Sequence, residues 1–222
     1  TVFASVGMLS YFWDLRLGHG KGIQKARSHP ANAFKIIPRY FKQRPLRIAY
    51  WITMSRSIFW VTLFIYGPIY VIEARLPTWV AGGLLSLASG LLLISPLIRR
   101  FAGRVGTRLT IIYALVLIGS SMLMLYFIGE PKLIGLVFWV SAALGGVTLD
   151  VLGNIPFMRM VKPRERIEMM MIFSTWREGS QLLTPLMASL VLLFAPFEIF
   201  YVLLALFLFG AAIKASYLPR RL

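Results

Sequence analysis

Cysteine is absent from this chain, and its two histidines, His19 and His29, lie ten positions apart in a polar stretch. Disulfides, thiolate chemistry and an all-protein zinc site are therefore excluded for these residues, while the redox compartment stays open. Acidic side chains are scarce: 8 Asp and Glu stand against 24 Lys and Arg, a formal net charge of +16. Motifs for hydrolysis or nucleotide chemistry are missing too. No G-x-S-x-G, H-E-x-x-H or G-x-x-x-x-G-K-[ST] occurs, so a nucleophile elbow, a zinc-peptidase helix and a phosphate loop are all lacking. We expect no enzyme, no cofactor and no metal, and an ATP-driven process would need a separate subunit. An initiator Met and a charged leader are also wanting, because the sequence opens at Thr1 inside an apolar run. It reads as neither a signal peptide nor a natural start, but as a fragment or a processed piece.

What is present is apolar. Hydrophobic residues make up 58% of the 222 positions and charged ones 14%, with a mean hydropathy of +0.74. One soluble core of this size cannot hide so much apolar surface, so lipid is expected to be part of the solvent. Crossing the hydrocarbon takes about 20 apolar residues in a helix, and the continuous runs here favour helices over a closed barrel. Residues 1–15 are too short for a span and read as the tail of a preceding helix. Six candidate spans come after it, at 48–72, 78–98, 109–128, 133–152, 168–194 and 198–217. The expected fold is thus an all-α polytopic membrane protein in three parts: a helix tail at 1–15, a basic connector at 16–47 and a six-helix domain at 48–222.

The charges are sorted along this pattern. Twenty of the 24 Lys and Arg fall in the connector 16–47, the loops 99–108 and 159–166, and the tail from Lys214. The opposite side carries only Arg75 and Lys132, while Arg56 and Arg177 lie inside spans. By the positive-inside rule the basic loops and the C-terminus are cytoplasmic, and the net charge calls for no nucleic acid. Within the connector, Phe34, Ile37 and Phe41 recur at helical spacing over 33–44, with Lys35, Arg39 and Lys42 on other faces. That pattern fits a short amphipathic helix on the inner leaflet, kinked or begun by Pro38. The outer turns around Pro77, Pro131 and Pro196 are tight, which pairs the spans into three antiparallel hairpins.

A basic connector with an amphipathic helix, then six spans joined by short outer turns, resembles the central loop and second half of a major facilitator superfamily transporter. The segment 96–108, PLIRRFAGRVGTR, resembles a degenerate copy of that family's loop motif G-x-x-x-D-R-x-G-R-R. Arg104, Gly106 and Arg108 match it in spacing, whereas Arg99, Gly103 and Thr107 replace its first Gly, its Asp and its penultimate Arg. The segment 150–166, DVLGNIPFMRMVKPRER, is similar to the connector between the family's tenth and eleventh helices. The resemblance implies that the six spans are helices seven to twelve and that residues 1–15 end the sixth. It further implies a partner N-terminal half of the same chain, a central site and alternating access to a small solute. Coupling to protons, facilitated transport and efflux all remain open under it, in a bacterial inner membrane. A non-transporting six-span scaffold, or a subunit of a larger complex, is the alternative.

Ionisable side chains inside spans are costly and mark pathways, gates or pairs. Four qualify: Arg56, Asp150, Arg177 and Glu178. All four sit nearer the basic end than the midplane. Three readings stand: the arginines snorkel and Asp150 caps a helix; the acids pair with Arg56, Arg104, Arg108 or Arg177 as an inner gate; or the acids couple protons or meet substrate. Candidate cavity residues are Gln181 and Thr184, which with Arg177 form a stripe beside Pro185, and the aromatic Trp60, Tyr66 and Trp139. Small residues at i, i+4 (Gly82, Ser86 and Gly90; Ser141 with Gly145; Ala142 with Gly146) signal close helix packing.

Overall fold

In a computed structural model, residues 33–162 and 165–219 are described, and every regular element among them is helical. The expected helix tail at 1–15 and the first part of the connector lie outside the described residues. The helices are α1 (Ala33–Lys42), α2 (Arg44–Glu73), α3 (Thr78–Gly90), α4 (Ser95–Val105), α5 (Thr107–Ile128), α6 (Gly135–Leu152), α7 (Ile155–Met160), α8 (Arg166–Phe194) and α9 (Glu198–Ala215). Among the described residues, five helical segments are long and apolar enough to cross a membrane: Arg44–Glu73, Thr78–Val105, Thr107–Ile128, Gly135–Met160 and Glu198–Ala215.

The sixth expected span, 168–194, forms as part of one unbroken 29-residue helix, α8. It does not join the five because Arg177, Glu178 and Gln181 interrupt its apolar run. The apolar remainder of the helix, 182–194, measures only about 20 Å at 1.5 Å per residue, short of the ~30 Å of hydrocarbon.

Local chemistry sets the helix limits. Pro45 in the first turn of α2 has no N–H to satisfy, and Gln43, with ψ 105, breaks the chain between α1 and α2. The second span bends without ending. Pro96 cannot donate to the Leu92 carbonyl, a 3-10 turn (Leu91–Ile94) takes up the mismatch, and the Ser95 hydroxyl hydrogen-bonds that carbonyl instead. The helix then runs on through Arg99, Arg100 and Arg104, so the stretch expected as a loop is helical up to Val105.

Gly106 alone separates α4 from α5, with φ 99 and ψ 139. Side chains other than hydrogen are strained in that region of backbone space. Open space surrounds Gly106, so Gly106→Ala is expected to cost about 1–3 kcal/mol from the backbone alone. Gly103→Ala, in the helix three positions earlier and equally open, should be neutral or stabilising by up to about 1 kcal/mol. Thermal unfolding of the two variants in detergent distinguishes them.

The core is built where α5 packs between α6 and α9, and where α2 meets α3, α6, α7, α8 and α9. Three glycines of α6 are closely approached: Gly135 by the Tyr70 ring and hydroxyl of α2, and the adjacent Gly145 and Gly146 by α5 and α2. A Cβ on Gly145 would lie 2.6 Å from Ile118 Cγ1 and 2.9 Å from the Ala114 carbonyl oxygen on α5. One on Gly146 would lie 2.5 Å from Phe59 Cε1 on α2. Beside them the Ser121 and Ser141 hydroxyls hydrogen-bond at 2.7 Å across α5 and α6. The Gly82, Ser86 and Gly90 stripe behaves differently: all three are exposed, and nothing among the described residues comes within 4 Å of a Cβ on either glycine. The α3–α4 span is correspondingly peripheral, with 17% of its most apolar window buried against 44–56% for the other four.

A second, smaller core lies at the basic end, where Tyr40, Leu46, Ala49, Phe157, Val161, Met169, Ile172 and Phe173 join α1, α2, α7 and α8. Phe157 stacks on Phe173 at 4.1 Å. Tyr40 is fully buried, donates its hydroxyl to the Leu46 carbonyl at 3.1 Å, and has its phenol pKa pushed up by that burial and by the neighbouring Tyr50. Ile37 and Phe41, part of the apolar face expected to meet lipid, remain exposed.

Candidate functional site

Arg56 stands in the fourth turn of α2, and only 7% of it is exposed. Helices α6 and α8 make it so. Asp150, in the last turn of α6, places Oδ1 3.3 Å from Arg56 Nε. Trp176 of α8 lies on the other side, its ring centroid 4.8 Å from the guanidinium carbon. One arginine thus ties three helices together through an ion pair and a cation–π contact. Two further contacts hold α8 on α2: the Ser57 and Ser180 hydroxyls at 2.5 Å, and Tyr50 with Thr175 at 3.2 Å.

Beside this pair opens a pocket of about 500 Å³ lined by Arg56, Ser57, Trp60, Phe64, Asp150, Trp176, Arg177 and Gln181, with Val61 and Ile65. Its wall is aromatic, with Trp60 stacked on Phe64 at 5.6 Å. The Trp60 indole nitrogen lies close to the Asp150 carboxylate without the geometry of a full hydrogen bond. The Asp150 side chain keeps 29% of its surface and that of Arg56 keeps 9%. The carboxylate is therefore the partner within reach of water or a solute, and the guanidinium is the one held by the protein.

Of the sequence candidates, Arg56, Asp150, Trp60, Arg177 and Gln181 all line this pocket. Arg177 and Gln181 are exposed on its rim. Glu178 is exposed as well and has no ion-pair partner among the described residues. Arg104 and Arg108 lie at the α4–α5 junction and form no ion pair with Asp150 or Glu178. Thr184 is buried, its hydroxyl given to the Ser180 carbonyl at 2.8 Å. Two aromatic candidates are packing residues in this arrangement. Tyr66 rests on Phe197 and Phe200, and fully buried Trp139 lies edge-on to Tyr70 and Tyr201.

Sequence reasoning missed Trp176, Ser57 and Phe64. Trp176 was findable: Phe173, Trp176, Ser180 and Thr184 advance by three, four and four, and this face of α8 packs on its neighbours while Arg177 and Gln181 flank it. Ser57 and Phe64 carry no comparable signal in a helix as evenly apolar as α2. Among the described residues no three His, Cys, Asp or Glu side chains gather in a metal-binding group. Compared with protein-family models, curated proteins and solved structures, the chain matches none.

Proposed function

We propose that these helices form one half of a secondary transporter of the major facilitator type, with Arg56 and Asp150 as a latch at its inner gate. The observation that carries the reading is the half-buried Arg56–Asp150 pair on the wall of an open aromatic pocket, within helices long enough to span a bilayer. The acidic partner faces the pocket, so its charge is within reach of water, protons and solute while Arg56 is held by the protein. Protonation of Asp150, or approach of a polar solute, removes or screens its charge and weakens the bond between α2 and α6. That is the two-state element a gate needs.

On this reading α8 counts as the sixth span. Its polar third, Arg177, Glu178 and Gln181, meets a water-filled path and the solute rather than lipid, a known exception to apolar spans. The rest of the carrier, including the other half of the central site, comes from residues before this segment. The basic loops and C-terminus lie in the cytoplasm of a bacterial inner membrane, and the partners are lipid, the N-terminal half and a small solute moved with or without protons.

Because these residues lack cysteine, the latch can be tested without knowing the solute. With Gln181→Cys as the sole cysteine of the full-length protein, any cysteine outside these residues being replaced by Ser, Asp150→Asn is expected to raise the rate of maleimide labelling about fivefold or more, the effect of losing ~1 kcal/mol of closing interaction. Flux of candidate solutes into liposomes without ATP tests the function itself. Unchanged labelling would remove the latch. An absence of flux for any solute, with labelling altered, would favour the scaffold reading over the carrier.

A further inference from the structure

The basic end holds a second pocket, separate from the Arg56 site. About 380 Å³ in volume, it is lined by Arg44, Arg47, Ile48 and Trp51 at the start of α2 and by Lys214 and Tyr217 at the end of α9. Three cations converge on it with no acid in its lining, and none of the three has a carboxylate within ion-pairing distance among the described residues. Aromatic rings partly compensate two of them: the Arg44 guanidinium carbon is 4.6 Å from the Tyr217 ring centroid, and Lys214 Nζ is 4.1 Å from that of Trp51. Arg47 has no such ring among the described residues. Like charges held around one cavity repel each other, and although water screens these exposed side chains, an anion between them relieves the repulsion.

The position says which anion. Trp51 and Tyr217 lie at the basic ends of two helices long and apolar enough to span a membrane, and amphipathic rings at such ends meet headgroups. Arginines offer paired N–H donors matched to phosphate oxygens, and Lys214 adds a point charge. The positive end of α2, at Arg44, and the negative end of α9, at Lys214, both lie at this pocket, so the helix dipoles offset and the field is that of the three side chains.

We propose that this pocket binds a phosphate group, supplied by the headgroup of an anionic phospholipid of the adjoining leaflet. The bound lipid staples the first and last spans of the domain together at their basic ends.

The test compares thermal midpoints of the full-length protein in detergent micelles doped with phosphatidylglycerol, doped with phosphatidylcholine, or supplied with millimolar inorganic phosphate. Phosphatidylglycerol should raise the midpoint by several degrees over phosphatidylcholine. The triple variant Arg44→Gln, Arg47→Gln, Lys214→Gln should lose that rise and retain about tenfold less co-purifying anionic lipid by native mass spectrometry. Arg99→Gln, Arg100→Gln, Arg104→Gln removes the same charge from another basic helix, α4, and should keep both. An equal shift with inorganic phosphate would keep the site and assign it to soluble phosphate compounds. No selective rise with either phosphate source, or an equal loss in both triple variants, would overturn the proposal, because the attraction would then be that of net charge.

Discussion

Asp150→Ala is expected to destabilise the fold by about 3 kcal/mol, the cost of leaving a buried cation without its counter-charge. Arg56 is the better buried of the two, with 9% of its side chain exposed, and its other partner, Trp176, offers only a ring face. The converse change is cheaper. In Arg56→Met the surviving Asp150 keeps 29% of its side-chain surface at the pocket, so water solvates it and the loss should be about 1–2 kcal/mol. Combining Arg56→Met with Asp150→Leu removes both charges and fills the space with apolar groups. Such replacements are often neutral or stabilising, and the double variant is expected to unfold near the unsubstituted protein. With Asp150→Leu as the acidic-site single variant, the four proteins make a double-mutant cycle, and because each single loses stability while the double loses almost none, the expected coupling is about 4 kcal/mol or more. Reversible unfolding in mixed micelles, followed by tryptophan fluorescence, measures it. The latch hypothesis adds a second readout: the double variant should be stable and yet fail to close, labelling at Gln181→Cys as fast as Asp150→Asn. Recovery of both stability and slow labelling would make the pair a packing element only.

The fold was legible in the sequence to the extent that each signal measures it. Hydropathy runs give helix existence, and five runs became helices long and apolar enough to span. Limits were read less well, because apolar windows do not see hydrogen bonds. Residues 99–105 look like a polar loop by composition, but Ser95 takes over the carbonyl that Pro96 leaves free and the helix continues until Gly106 turns it. The ionisable residues in spans were visible as anomalies, and Arg56 with Asp150 lines one pocket. Their pairing was only one of several geometric possibilities, because sequence spacing says nothing about which residues of α2 and α6 face each other. Aromatic residues at helical spacing carried the least information. Trp60 meets the pocket whereas Trp139 and Tyr66 pack in the core, and all three look alike in a hydropathy profile.

The small-residue stripes teach the same limitation and supply the sharpest contrast in stability. Gly145→Ala is expected to cost about 1–3 kcal/mol, as for overpacking elsewhere, because the new methyl meets the Ala114 carbonyl oxygen at 2.9 Å and Ile118 at 2.6 Å. The side chain could turn away, but the backbone oxygen can retreat only if α5 and α6 separate, which also stretches the 2.7 Å bond between Ser121 and Ser141. A larger residue, Gly145→Leu, should prevent the two helices from packing and leave little folded protein. Gly146→Ala should be milder, since its close contact is with the Phe59 side chain and not with backbone. Gly82→Ala, within the same kind of i, i+4 pattern, meets nothing among the described helices and should be neutral or raise stability by up to about 1 kcal/mol through helix propensity. Fluorescence-detected size exclusion after graded heating ranks the variants. A loss at Gly82 equal to that at Gly145 would mean that α3 is covered by chain outside the described residues. A tolerant Gly82 beside an intolerant Gly145 would confine close helix packing to the α5–α6–α2 core.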